Sequence, residues 1–393
     1  MAPPSPVLLD EMVEEILIRF PPADPARLVH AALACKSWRR LISRRRFRRR
    51  YLAFHHTAPM LGFLCNGIGW GQSETRFVPT SSFRPPRPHA DHILRDWDVA
   101  DARHGRILLH NRSLDRRGDP VKHEFMVWDP ITDERRALPS LPGSTKSGAA
   151  VLCAAAAGNS GSCDHRDCRG GPTLVVFVGT TGRDVTRDRC FVRVYYSSSS
   201  SEEEESWSQP MYSAVPPANL DKIVPSALLG KEIHFVFPYS KTIFKYNLET
   251  REMSRVPRPS ALSNKSIALM ATEDGRLELT VVKRCRLSLW SREDGTTAGW
   301  ALRRVVELVK LLPNAAFTTT PYVVGAADDG TCIIFLQTDD GTFTINLKSG
   351  QATKVCPDAC LFPCDIFAYM SFCTPVLGLT SKIEGPSASA SSA

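Results

Sequence analysis

A loose unit recurs along most of this chain and restricts the folds open to it. Each copy places a glycine before alternating apolar residues, leaves a variable gap, adds an aromatic-rich strand and ends in an acidic or Asn turn with Thr or Ser. One copy is His104-Gly-Arg-Ile-Leu-Leu-His, reaching Phe125-Met-Val-Trp-Asp-Pro-Ile-Thr and Leu138-Pro. Others begin at Gly230 and reach Ile243-Phe-Lys-Tyr-Asn-Leu-Glu-Thr, at Asp274-Gly and reach Leu287-Ser-Leu-Trp, and at Asp329-Gly and reach Thr342-Phe-Thr-Ile-Asn-Leu-Lys-Ser. A degenerate copy runs from Pro172 through Phe191-Val-Arg-Val-Tyr-Tyr to Trp207. Alternation of this kind predicts half-buried or sandwiched strands bounded by turns. The glycine steps are 45 residues from Gly230 to Gly275 and 55 from Gly275 to Gly330, close to the ~40–50 of propeller blades. A four-stranded blade cannot bury its faces alone, so such an array closes radially, and residues 58–378 hold about six irregular blades at this spacing. A β-sandwich also has many short strands, but the repeat spacing favours the propeller.

The first sixty residues follow a different period. Leu9, Val13, Ile16, Leu17 and Phe20 recur every three or four residues, one face of a helix. Acids stand near its start, as the helix dipole favours, and Pro21-Pro22 stops it. Asp24-Pro25 restarts the helix, the carboxylate capping free amides and the ring filling the first helical position. The second helix is predicted over 25–34 with Leu28, Val29, Ala32 and Leu33 inward. A third carries Cys35, Trp38, Leu41 and Ile42, and Phe47 and Tyr51 belong to a fourth. A bundle this small is marginal alone and tends to lean on a partner.

These residues carry a resemblance. Leu8-Leu-Asp-Glu-Met-Val-Glu-Glu-Ile-Leu-Ile-Arg-Phe-Pro-Pro-Ala-Asp, Leu28-Val through Ala34-Cys-Lys-Ser-Trp-Arg-Arg-Leu-Ile-Ser, and Phe47-Arg-Arg-Arg-Tyr resemble, in order and spacing, the F-box motif over residues 8–54, in the version common in large plant, especially grass, families. Leu61-Gly-Phe-Leu-Cys and Ile366-Phe-Ala-Tyr-Met-Ser-Phe resemble the flanks of the propeller-like F-box-associated regions of the same family and are expected in one closing blade. The resemblance implies an α+β multidomain chain: an F-box helical domain over 1–57, a β-propeller-like recognition domain over 58–378, and a disordered tail over 379–393. It further implies a non-catalytic substrate receptor of an SCF-type cullin-RING ubiquitin ligase. The F-box would dock on a Skp-type adaptor, and through it on cullin and RING subunits, while the β domain holds a target protein. By position, Leu8, Leu9, Ile16, Leu17, Leu28, Leu33, Cys35, Trp38 and Leu41 match the family's apolar docking and core positions. Leu9 departs from the proline usual there, which keeps an apolar side chain but loses a rigid entry turn.

The formal charge of +8 is local. Lys36, Arg39, Arg40, Arg44, Arg45, Arg46, Arg48, Arg49 and Arg50 supply nine positive charges with no acid between them, and 8 − 9 leaves −1 for everything else. Such a run serves as a nuclear-import or nucleic-acid patch in some chains, and in others as a solvated helix face that steers toward an acidic partner. Phe47 and Tyr51 fit the core better than a stacking platform, so nucleic acid is not expected as a partner. Asp10, Glu11, Glu14 and Glu15 interrupt any secretory h-region, and the small-apolar stretch 148–158 is about half the ~20 residues of a membrane span. The expectation is a soluble, intracellular protein, nuclear, cytoplasmic or both, without membrane contact.

Three segments interrupt the repeats: 73–91, rich in Pro, Ser and Arg; 158–172, with Gly and Cys; and 197–206, a Ser/Glu run. All three are expected as surface loops. The 12 cysteines are scattered, unlike a secreted disulfide framework, and are expected mostly as reduced core thiols. Cys163, His165 and Cys168, interleaved with Asp164 and Asp167, have zinc-type donors but not the spacing of a paired knuckle, and no second pair follows at finger distance. Cys356, Cys360 and Cys364 are separated by Pro357 and Pro363, which oppose an aligning helix. No metal or cofactor is therefore expected. No nucleophile elbow, phosphate loop, HExxH helix or dinucleotide fingerprint occurs. The second reading is a propeller enzyme or metal-binding protein with an unrelated helical N-terminus, recognisable by converging acids of shifted pKa.

Overall fold

In the computed structural model the described residues are 9–375, excepting 70–71, 87–93, 95–96, 114–121, 143–146, 157–162, 164, 167, 169–170, 181–188, 198–205, 214–224, 237–240, 260–261, 263–266, 294–298, 328–330 and 358–363. The expected tail 379–393, most of the 158–172 and 197–206 segments, and Leu8 and Cys360 lie outside them.

Four helices open the chain: α1 (Asp10–Ile18), α2 (Ala26–Ala34), α3 (Lys36–Ile42) and α4 (Arg45–His55). Their one core gathers Val13, Leu17, Ile18, Leu28, Ala31, Ala32, Leu41, Ile42, Phe47, Tyr51 and Leu52. Phe372, from the far end of the chain, completes it, its ring 6.2 Å from that of Tyr51. The Tyr51 hydroxyl donates to the Phe20 carbonyl at 3.0 Å, which holds the chain where Pro21 ends the first helix. The Asp24 carboxylate stands at the start of α2 as expected, with the Ala26 amide among its partners, but it does not cap the helix alone. The Ala26 amide also donates to the Ser82 hydroxyl (3.2 Å), and that hydroxyl donates to Asp24 (2.8 Å), so part of the cap comes from a tertiary contact.

Six antiparallel sheets follow. The strands are β1 (Met60–Gly69), β2 (Gln72–Pro79), β3 (Asp98–Arg103), β4 (Arg106–Ser113), β5 (Lys122–Asp129), β6 (Glu134–Ala137), β7 (Leu141–Pro142), β8 (Ser147–Cys153), β9 (Thr173–Thr180), β10 (Cys190–Tyr196), β11 (Met211–Tyr212), β12 (Ala227–Leu229), β13 (Glu232–Val236), β14 (Thr242–Asn247), β15 (Met253–Pro257), β16 (Ile267–Ala271), β17 (Leu277–Lys283), β18 (Arg286–Arg292), β19 (Trp300–Glu307), β20 (Tyr322–Ala326), β21 (Ile333–Thr338), β22 (Gly341–Asn346), β23 (Gln351–Cys356) and β24 (Asp365–Met370). Blades are β3–β7, β8–β11, β12–β15, β16–β19 and β20–β23; the sixth joins β24 to β1 and β2. Leu64 faces Phe367 and Cys65 faces Ile366 in that closing blade, as the flanking segments predict.

Period-two alternation makes the ring. Leu64 turns one way into a core with Val99, Ile107, Leu109 and Trp128, while Phe63 and Cys65 on either side of it turn the other way against Val324 and Phe335; an irregularity in register at Leu61 puts that residue on the Leu64 side. One apolar core fills each of the six gaps between neighbouring sheets. Strands covered on both faces need apolar residues at every position, and β9, reading Thr-Leu-Val-Val-Phe-Val-Gly-Thr, is buried throughout. The repeat's chemistry is visible in its turns. Gly230 (φ +57) and Gly275 (φ +74) take the left-handed conformation that joins the first two strands. The closing Asn or Asp folds the hairpin between the third and fourth strands as an Asx turn: Asn247 Oδ1 accepts the amides of Glu249 (2.9 Å) and Thr250 (3.0 Å), Asn346 Oδ1 those of Lys348 (2.9 Å) and Ser349 (3.0 Å), and Asp129 Oδ1 that of Ile131 (2.8 Å).

One expected loop is a correction. Ser73 to Pro79 belongs to β2, paired with β1 along its length, and Phe83 beyond it is buried against Phe77 and Tyr369. Its Pro, Ser and Arg content hid a strand that only the closing blade requires. The small-apolar stretch at 148–153 is likewise strand β8, buried between two sheets. Among the described residues no helix is long and apolar enough to cross a membrane.

Candidate functional site

The bundle divides the predicted docking residues into two sets. Leu17, Leu28 and Leu41 are buried and form its core. Leu9 (66% exposed), Ile16 (50%) and Leu33 (75%) stand in solvent. Cys35 and Trp38 are half-buried, Trp38 at the margin of the core rather than inside it. Val29 and Leu33 do not point inward as expected; Leu28, Ala31 and Ala32 are the residues of α2 that enter the core. Met12 and Val29, which the sequence reading left out of the docking set, are also exposed. Their signal was available: residues 12 and 16 on α1, with Leu9 at its N-cap, and 29 and 33 on α2, repeat at three- and four-residue steps and so line one side of each helix. Exposed apolar stripes on two short helices are unusual on a closed surface.

The basic run lies along α3 and α4. Arg44, Arg45, Arg46 and Arg49 are exposed, and Arg48 is half-buried. Arg50 reaches across to α1, pairing with Glu14 at 2.8 Å and with Glu15. The Arg50 hydrogen bond holds the Glu15 carboxyl below its usual range, and Glu14 and Glu15 raise the Arg50 guanidinium. One of the six arginines therefore ties helices together, while four present charge to solvent.

In the propeller, the buried carboxylates among the described residues are engaged structurally. Asp101 pairs with Arg103 at 3.0 Å and accepts the Val151 amide at 2.9 Å, and Asp129 closes its Asx turn. Cys65 and Cys364 face each other with sulfurs 2.7 Å apart in the closing blade, and Cys356 and Cys364 are both buried. Cys163, His165 and Cys168 come together with Cys153, which stands at the end of β8 and which the sequence reading did not join to them. The hydrogen bond from Cys168 holds the Cys153 thiol below its usual range, and the same bond, with burial, pushes Cys168 up.

Residues 8–50 match the F-box domain, and residues 98–376 match the family described as F-box protein AT5G49610-like, beta-propeller. The second match begins at Asp98, so β1 and β2 of the closing blade precede it. No curated protein matches the chain in sequence. Solved structures similar in shape include a prolyl endopeptidase (13% identity, 76% of this chain and 40% of that one, TM-score 0.38), a chain of a nidogen/laminin complex (6%, 79% and 99%, 0.43) and the Cps50 (Swd1) beta-propeller domain of Myceliophteria thermophila (11%, 66% and 85%, 0.33). The chain thus spans well under half of the endopeptidase, and likenesses this distant carry no argument about function. The N-terminal helices are accordingly not an unrelated bundle, and the chain belongs to the F-box proteins with an AT5G49610-like beta-propeller.

Proposed function

We propose that this chain is a substrate receptor of an SCF-type cullin-RING ubiquitin ligase, and that it acts by position rather than by chemistry of its own. The observation that carries this reading is the pair of exposed apolar stripes, Leu9 at the N-cap of α1 with Met12 and Ile16 on it, and Val29 and Leu33 on α2, on a bundle whose core is complete without them. A Skp-type adaptor covers these side chains. The propeller holds a target protein, and the associated RING subunit directs ubiquitin onto it. Tethering raises the effective concentration of the target's lysines at the conjugating enzyme. Arg44, Arg45, Arg46 and Arg49 add electrostatic steering toward an acidic face of the ligase, a rate effect that salt screens.

The test is a titration of the full chain with a purified Skp-type adaptor. Saturable binding is expected, and Ile16→Asp and Leu33→Asp are each expected to weaken it by about tenfold or more, the range of a desolvated apolar anchor. Both side chains are exposed, so the variants should fold. Absence of binding by the folded wild-type chain, or binding indifferent to both substitutions, rejects the proposal.

A further inference from the structure

The connection between β8 and β9 is built unlike its counterparts. In the blades after it, short glycine turns at Gly230 and Gly275 join the first two strands. Between β8 and β9 the chain runs on to Pro172, and residues 154–171 contain no Val, Leu, Ile, Met, Phe, Tyr or Trp. A segment of this composition cannot make an apolar core of its own. It nevertheless returns Cys163, His165 and Cys168 to the end of the strand where Cys153 stands, and the donor atoms of the four lie within 4.8 Å of one another.

The distances fit an ion. The sulfurs of Cys153 and Cys163 are 4.0 Å apart, and His165 Nδ1 is 4.0 Å from the Cys168 sulfur. A tetrahedral ion bound at about 2.3 Å from sulfur and about 2.0 Å from nitrogen sets its donors about 3.5–3.8 Å apart. These pairs close on it by moving a few tenths of an ångström.

The surroundings orient the donors. The His104 ring stacks on His165 with centroids 4.2 Å apart and planes 11° from parallel, and its Nδ1 accepts the Cys153 amide at 3.2 Å. Arg106 approaches from the neighbouring blade, with Nη1 3.9 Å from the Cys168 sulfur and Nη2 donating to the Gly171 carbonyl at 2.8 Å and to the Cys168 carbonyl. Its charge offsets the single negative charge that three thiolates leave around a divalent ion. Partners that fix ligand rotamers in this way accompany protein metal sites.

We infer that Cys153, Cys163, His165 and Cys168 form a structural zinc site that fastens the β8–β9 connection against the preceding blade. Three thiolates and an imidazole are the donors zinc prefers, and four protein ligands leave no open position for catalysis. Binding releases the thiol protons to solvent. The spacing of Cys163, His165 and Cys168 alone argued against a metal. The fourth donor, ten residues upstream of Cys163, is brought in by strand pairing.

The test uses the full chain, produced with zinc present and purified under reducing conditions without chelator. Elemental analysis is expected to return about one zinc per chain. That zinc is expected to be lost in the double variant Cys163→Ser/Cys168→Ser and kept in Cys285→Ser, whose thiol is outside the cluster. Because the double variant risks misfolding, wild-type protein stripped of metal and reloaded with cobalt(II) provides a second readout. Visible absorption of tetrahedral, thiolate-bound cobalt is expected, bleached by added zinc. Background zinc in the wild-type chain with no cobalt spectrum overturns the inference, as does zinc retained by the double variant. A Cys153–Cys163 disulfide in the reduced-and-purified protein, with no metal taken up, overturns it too.

Discussion

The bundle and the propeller treat their apolar side chains differently. Among the described residues, six large apolar side chains are exposed on the bundle, Leu9, Met12, Ile16, Val29, Leu33 and Phe54, and six on the propeller, Tyr196, Tyr212, Leu302, Val305, Val309 and Tyr322, although the propeller is several times longer. The ring covers both faces of each sheet with its neighbours, so alternating residues are consumed within it. The four short helices enclose one core, and Phe372 from the end of the propeller helps to fill it. A small domain with surplus apolar surface is shaped for a partner; a closed ring of sheets is stable in itself and offers its loops and edges.

This contrast can be broken most forcefully in the ring. Trp128 is fully buried between the closing blade and the next, with its Nε1 donating to Asp133 at 3.0 Å. Trp128→Ala is expected to cost about 3–5 kcal/mol, read as a fall in the propeller's urea midpoint. Phe372→Ala sharpens the comparison, because the same kind of truncation, about 3 kcal/mol, falls on the bundle. The helical transition should move earlier in denaturant while the sheet transition stays, as followed by far-ultraviolet circular dichroism against tryptophan fluorescence. Equal shifts in both would mean the two regions unfold as one unit.

A smaller effect is expected with pH. His234 is buried on β13, and burial lowers its pKa to about 4. The unfolded ring titrates near the ordinary value of about 6.5, so as pH falls the unfolded chain takes up the proton first. The stability of the neutral buried ring is therefore full above about 6.5 and is lost as the pH falls toward about 4. Between pH 7 and pH 5 the loss is about 2 kcal/mol from this residue, and His234→Gln should flatten that part of the profile. Least of all, Ile16→Asp and Leu33→Asp should change stability by no more than about 0.5 kcal/mol, while the proposed adaptor binding is expected to weaken by about tenfold or more. A large stability loss in either would place these side chains in the core and undo the contrast.

The repeat was legible because its parts are local. A left-handed glycine and an Asx turn are chemical requirements of single residues, so Gly230, Gly275, Asn247 and Asn346 announce their hairpins without any partner. The four helices were legible from periodicity and proline. Less legible was which residue of an amphipathic helix faces in. Val29 and Leu33 have the same chemistry as Leu28, and only packing distinguishes them: Leu28 joins a core that includes Phe372, more than three hundred positions away, and the other two do not. Strand β2 was missed because its residues are polar and its pairing partner gives it its place.

The amino-acid order by itself thus determined the helices, the blade hairpins and the concentration of positive charge on α3 and α4, since each follows from period, turn chemistry or composition within a short window. Only the tertiary structure decided how Ser82 shares in capping α2, which apolar side chains of the bundle remain in solvent, and that Cys153 joins Cys163, His165 and Cys168. Those outcomes rest on contacts between segments distant in sequence, where a few ångströms of strand register select the neighbour, and local pattern carries no record of that distance.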